Sequence, residues 1–242
     1  MTITDTFTGF PPRAMTFLRG LKKNNRKDWF EAHRDDYEDA LRAPMRLLIE
    51  EVDVRLAGFI PEVMGSPKKS MFRIHRDVRF SKDKSPYKTN AACWFFHRDA
   101  GSGVGGDAAH GGAGFYFHMA PGEIFCGGGI WMPPQPALNR IRESLRDDHE
   151  GFAEIVYDRA FKRRFGTLDT EAMLTRMPRG FDPDHPAGDW LRYQSFTAGT
   201  ALKDTDIASR KLPDILAKHY QAMTPFVRWL NTALGLKPSS GR

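Results

Sequence analysis

The stretch FRIHRDVRFSKDKSPYKTN, residues 72–90, sets the period of the middle of the chain. Phe72, Ile74, Val78 and Phe80 alternate with Arg73, His75, Asp77 and Arg79, the two-residue spacing of a half-buried strand. SKDKSPYKTN has the polar and proline chemistry of a turn. ACWFFH (92–97) then reads as a second strand, FYFHM (115–119) as a third and EIFCGGGIW (123–131) as a fourth. Successive strands with short connections favour antiparallel pairing.

The flanks read as helical. On the N-terminal side, Asn24 and Asn25 interrupt the pattern after PRAMTFLRGL, and Asp28 can cap a new helix. Trp29, Phe30, His33, Tyr37 and Leu41 recur at helical steps, and Met45, Leu48, Val52, Leu56 and Phe59 continue them. On the C-terminal side, Leu138, Ile141 and Leu145 share a face, with Arg140, Arg142 and Arg146 largely on others. Residues 166–200, punctuated by Pro178, Pro183, Pro186 and glycines, read mostly as loop. Leu216, Tyr220, Met223, Val227, Leu230 and Leu234 form a closing helical seam, with a bend expected at Pro225. The expected fold is α+β: a central, mainly antiparallel sheet of four or five strands, with helices packed against it from both terminal segments. One domain over 1–242 is expected, with a flexible glycine-rich loop at 99–114 and a loose tail at 236–242.

The 242 residues suffice for a substantial core. The net charge of +6 and the pI near 9.4 permit an acidic partner without demanding one. Cys93 and Cys126 are too few for a disulfide framework, and MTITDTFTGF lacks the basic flank and apolar run of a secretory signal. No apolar run approaches membrane-spanning length. These features predict a soluble, cytoplasmic protein without a membrane partner.

Several familiar motifs lack the context they need. GSGVGG (101–106) satisfies G-x-G-x-x-G, but the residues after it run through more glycine into a strand, with no helix to receive a pyrophosphate. His75 and Asp77 share a strand face and could join His118 in an iron-binding triad, yet the surrounding cations would repel a dication. Neither metal nor cofactor is expected. Cys93 falls in an apolar strand, where a thiol is inert, and Cys126 precedes Gly127–Gly129.

The concentrated charge of 72–90 carries the functional expectation. Regular alternation puts Arg76 on the apolar side, where a guanidinium needs a carboxylate or another anion. Either a bulge turns Arg76 outward or it pairs inside. Lys82, Lys84 and Lys88 follow on a turn stiffened by Pro86, so that strand and turn could surround one concavity. A solvated basic edge strand is the plainer alternative.

Arg76–Thr89, R-D-x-R-F-S-K-D-K-x-P-Y-K-T, resembles the signature of a mainly bacterial family catalogued as domain of unknown function 2461. FLRGLKKNNRKDWFEAHRDDY (17–37), GFYFHMAPGEIFCGGGIWMPP (114–134) and LNRIRESL (138–145) extend the resemblance over most of the chain. It implies no activity. By position it marks Arg76, Asp77, Arg79, Lys84, Tyr87 and Lys88 as site residues, with Tyr116, His118, Gly128, Gly129 and Trp131 beside them. The expanded glycine segment at 101–114 departs from the family pattern.

The expected function is binding of a small anion, phosphate-bearing in one version, in a basic pocket on the sheet. Arg76, Arg79, Lys84 and Lys88 would hold it, Asp77 would orient the arginines, and Trp131 would add a ligand contact. Tyr87, Tyr116 and His118 are the candidates for proton transfer should the protein be an enzyme. The first alternative is nucleic-acid binding, with the same cations on phosphates and aromatic residues on bases. The second is a protein-interaction module whose basic turn docks an acidic surface.

Overall fold

The structure, a computed structural model, describes residues 6–79, 81–101, 111–239 and 241. It begins with α1 (Pro12–Lys23), α2 (Lys27–Ala32) and α3 (Arg34–Tyr37). A π-helical turn, Glu38–Arg42, leads into α4 (Ala43–Leu56). β1 (Val63–Met64), α5 (Pro67–Ser70), β2 (Ala91–His97), β3 (Gly114–Ala120) and β4 (Glu123–Ile130) follow. Next come α6 (Gln135–Asp147), α7 (His149–Tyr157), α8 (Arg159–Phe165), α9 (Gly188–Arg192), β5 (Phe196–Ala201), α10 (Asp204–Ile207) and α11 (Leu212–Ala233). Among the described residues, no helix is long and apolar enough to cross a membrane.

The five strands form one antiparallel sheet in sequence order, β1-β2-β3-β4-β5. The α+β expectation is met. Alternation along β3 assigns the two faces: Phe115, Phe117 and Met119 are fully buried, while Tyr116 and His118 point the other way and are half-buried. On the buried face Phe115 stacks on Tyr220 of α11 at 4.6 Å, and Phe117 lies over Phe10 at 6.3 Å. The seam of α11 closes this core as its periodicity predicts, with Leu216, Tyr220, Met223, Val227 and Leu230 fully buried and the helix running on through Pro225.

Three features differ from the sequence expectation. Residues 72–79 form no continuous strand, and Phe80 lies outside the described residues. Met71 bridges Cys93 and His75 bridges Tyr87, so three residues on one side oppose Lys88–Ala92 on the other. That slip breaks the ladder, leaving separate bonds from Phe72 N to Ala92 O, from Lys88 N to Ile74 O and from Arg76 N to Pro86 O. The inside–outside alternation survives: Arg73, His75, Asp77 and Arg79 are exposed, and Ile74 is buried.

The fifth strand lies within the segment read as loop. β5, FTAGTA, is short of large apolar residues because it packs beside glycines, with Gly199 opposite Gly127 and Thr197 opposite Gly129. Finally, Arg142 turns inward, only 4% exposed, and donates to the carbonyls of Leu191 and Tyr193 at 2.8 and 3.2 Å. Those bonds satisfy a buried guanidinium that helix periodicity assigned to another face.

Most of the expected glycine loop, 102–110, lies outside the described residues, as do Ser240 and Arg242. The C-terminal tail has no regular structure, yet the buried His97 ring contacts the Lys237 carbonyl at 3.1 Å, and Ser239 N reaches the buried Glu62 carboxylate.

Candidate functional site

The paired asparagines at the end of α1 do two separate jobs. The Asn24 side chain donates to Gly20 O at 3.1 Å, a second bond to a carbonyl that already accepts the Asn24 backbone N–H at 2.9 Å. Asn25 reaches 62 residues along the chain: Nδ2 donates to Tyr87 O at 2.9 Å, and Tyr87 N donates to Oδ1 at 3.0 Å. Its amide thus imitates a strand neighbour for the irregular ribbon. The Tyr87 ring stacks on Phe30 of α2 at 4.3 Å and 15°, and His75 leans against it at 5.2 Å. Two of the segments that carry the sequence resemblance, 17–37 and 76–89, therefore meet.

An open hollow of about 570 Å³ lies where they meet. The helical side contributes Arg34, Tyr37, Glu38, Arg42 and Arg46. The other wall is the run from Pro67 and Lys68 through Met71–His75. Tyr37, Glu38 and Arg42 stand on or beside the π-helical turn, whose extra residue per turn re-aims side chains and which recurs at functional sites.

Among the described residues, five cations line this hollow against one carboxylate, Glu38. Two are engaged. Arg34 holds Glu31 through bonds of 2.8–2.9 Å, and Arg42 holds Glu38 at 2.8 and 3.0 Å; these carboxylates push both guanidinium pKa values up. The side chains of Arg46, Lys68 and Arg73 form no hydrogen bond or salt bridge with any described residue, and all three residues are exposed. Burial raises the pKa of the Tyr37 phenol, keeping it protonated.

The cations singled out in the sequence do not converge here. Arg76 pairs locally, at the surface of the ribbon: Nη1 bonds the exposed Asp83 carboxylate, and the guanidinium also reaches Ser85 O and Ser81 Oγ at 3.4 Å. Arg79 chelates Asp77 at 2.7–3.2 Å, holding that carboxyl at about 2. Asp77 thus orients Arg79, on an exposed loop. Lys84 Nζ donates to Val78 O at 2.9 Å. None of these lines the hollow among its described residues. Lys88 comes nearest, its ammonium 5.1 Å from the centre of the Phe72 ring on the hollow wall. Burial, and then Arg73, lower its pKa. Trp131 is 60% exposed and stands outside the hollow.

The proton-transfer candidates divide. Tyr87 is 3% exposed and serves as packing, with burial raising its pKa. Tyr116 and His118 form a pair on the half-buried sheet face, with Tyr116 Oη 3.1 Å and Asn90 Nδ2 3.4 Å from His118 Nδ1. Burial lowers the His118 pKa, against a smaller opposite pull from Glu123. The Asn90 amide can donate to Nδ1 in the tautomer that carries its hydrogen on Nε2; Nε2 is buried without a hydrogen-bond partner and lies 3.9 Å from Glu123 Oε2. Asn90 also lines a narrow recess that shares Tyr37, Arg42, Met71, Phe72 and Ile74 with the hollow. Phe72 stands between the two sites, its ring edge-on to Tyr116 at 5.9 Å.

Gly128 and Gly129 belong to sheet packing. A Cβ at Gly129, where φ is +121°, would lie 1.9 Å from Phe196 O, and one at Gly128 would meet Gly114 O at 2.7 Å. Burial pushes the Cys126 thiol up to about 12 and raises Cys93 further, so both stay protonated. Among the described residues, no three His, Cys, Asp or Glu side chains are grouped to hold a metal ion. Sequence reasoning missed the helical half of the hollow. The available signal was the four-residue spacing Arg34–Glu38–Arg42–Arg46, which resembles any solvated helix face.

Residues 13–229 match a protein family described as "Conserved hypothetical protein (DUF2461)". No curated protein and no solved structure matches the chain.

Proposed function

The chain belongs to this family of conserved hypothetical proteins, and we propose its function from the geometry: the hollow between the helical corner and the 67–75 run binds a small, multiply charged anion. One observation carries the reading. The side chains of Arg46, Lys68 and Arg73 line a concavity and have no hydrogen-bonded or ion-paired partner among the described residues, while the nearby Arg34 and Arg42 are held in place by Glu31 and Glu38. Guanidinium forks fixed by a carboxylate on one side are ready to accept an anion on the other. The binding set moves from Arg76, Arg79 and Lys84 to Arg34, Arg42, Arg46, Lys68 and Arg73, with Lys88 behind Phe72. Tyr116 and His118 remain the proton-transfer candidates, next to the inner recess through Asn90. The cytoplasm, where phosphorylated metabolites abound, is the proposed setting.

Calorimetric titration with pyrophosphate at low ionic strength tests this. Saturable binding is expected, weakened about tenfold by Arg46→Ala or Arg73→Ala through loss of one charge-assisted contact. Arg163→Ala, an exposed cation on α8, is the matched control and leaves it unchanged. No saturable binding, or equal loss in all three variants, overturns the proposal. Tight, steeply salt-dependent binding of a single-stranded oligonucleotide without binding of pyrophosphate would favour nucleic acid instead.

A further inference from the structure

We infer that the ligand of the hollow is a nucleoside di- or triphosphate, a polyphosphate joined to a planar base. This rests on the anion reading above and adds a second half to the ligand. The volume is the first reason: about 570 Å³ lies within the range of roughly 300–1,000 Å³ typical of pockets for drug-sized molecules, far larger than a lone phosphate needs. The distribution of charge is the second. Arg34, Arg42 and Arg46 stand on the helical wall, and Lys68 and Arg73 on the other run, so a chain of phosphates can meet cations from both.

The third reason is the rest of the lining. Tyr37, Phe72, His75, Met71 and Ile74 put aromatic and apolar surface beside the cations. Tyr37 and Phe72 are partly exposed, and His75 is exposed. Pyrophosphate would leave that surface wet, whereas a heterocycle would cover it. Phe72 is the best-placed platform. Its ring is fixed by the Lys88 ammonium at 5.1 Å and by Tyr116 at 5.9 Å, and it still lines the hollow. Base stacking on an aromatic ring tolerates many bases, so this platform selects the class and not one member.

Calorimetry with pyrophosphate, adenosine, and the diphosphates of adenosine, guanosine, cytidine and uridine tests the inference. At least one nucleoside diphosphate is expected to bind about fivefold or more tighter than pyrophosphate, with adenosine alone much weaker. Phe72→Leu keeps apolar bulk and removes the ring; it should erase the nucleotide's advantage over pyrophosphate when both are measured on that variant. If pyrophosphate binds and no nucleotide exceeds it, the inference fails and the anion reading stands. If nothing binds, both fail. If adenosine binds as tightly as its diphosphate, the anion reading fails. The wild-type comparison decides even where the Phe72 variant does not fold.

Discussion

Replacing Asn25 by alanine removes both hydrogen bonds that tie the 72–90 ribbon to the end of α1, the 2.9 Å bond to Tyr87 O and the 3.0 Å bond from Tyr87 N. Tyr87 is 3% exposed, so its peptide groups lose their partners where water has poor access. A buried polar group left unmade costs about 1–3 kcal/mol, and partial hydration through the new gap softens the pair to a total of about 3 kcal/mol. For a chain of this size that corresponds to a fall of about 6–12 °C in Tm. Asn25→Asp keeps the acceptor and loses the donor, and should cost roughly half as much. Asn24→Ala removes one bond to Gly20 O and should cost about 1 kcal/mol. Urea unfolding followed by far-ultraviolet circular dichroism, with the slope checked for constancy, gives the three values. If Asn25→Ala costs less than about 0.5 kcal/mol, or no more than Asn24→Ala, the amide is not holding the ribbon as argued.

Other expectations come from the same contacts. Gly129→Ala drives a Cβ to 1.9 Å from Phe196 O at a φ of +121°, so a loss of about 3 kcal/mol or more in urea midpoint analysis is expected. Asp77 is held at about 2, first by the Arg79 side chain, and Asp83 at about 2, first by Ser85 and then by Arg76. Both folded values lie below the unfolded value of about 3.9, so their stabilisation is present above that pH and lost as pH falls through about 2. Carboxyl NMR titration should find both midpoints near 2; ordinary midpoints would dissolve the paired turn. His118 should titrate below its usual range, and Glu123→Gln should lower it further by removing an opposing charge. Because the folded form disfavours the imidazolium, His118 contributes stability above the ordinary histidine pKa and withdraws it as pH falls below. An imidazole resonance that moves upward in Glu123→Gln would contradict this.

The sequence carried the sheet well where side chains alternate in size. FYFHM and EIFCGGGIW became β3 and β4, and the exposure of Arg73, His75, Asp77 and Arg79 followed the alternation of residues 73–79. It did not carry the missing ladder, because a register slip between Met71 and His75 depends on partners across the hairpin. β5 was hidden because Gly199 and its small neighbours pack against the glycines of β4, which removes the apolar signal of a strand. Arg76 takes a carboxylate partner, as one of its two readings required, but the partner is the exposed Asp83 seven residues away and the pair lies at the surface. That same pairing is why the basic run did not mark the hollow. Arg79, Arg76 and Lys84 are absorbed by Asp77, Asp83 and the Val78 carbonyl, while one wall of the hollow comes from helices earlier in the chain. Of the quoted stretch, Phe72, Arg73, Ile74 and His75 line the hollow among the described residues.

The location of the anion decides the account most directly. Backbone amide shifts of the isotopically labelled protein should be followed during a pyrophosphate titration at low salt. The account predicts saturable changes concentrated at Arg34–Arg46 and Lys68–His75. Shifts concentrated on Asp77–Lys84, scattered over exposed lysines without saturation, or absent altogether would contradict it.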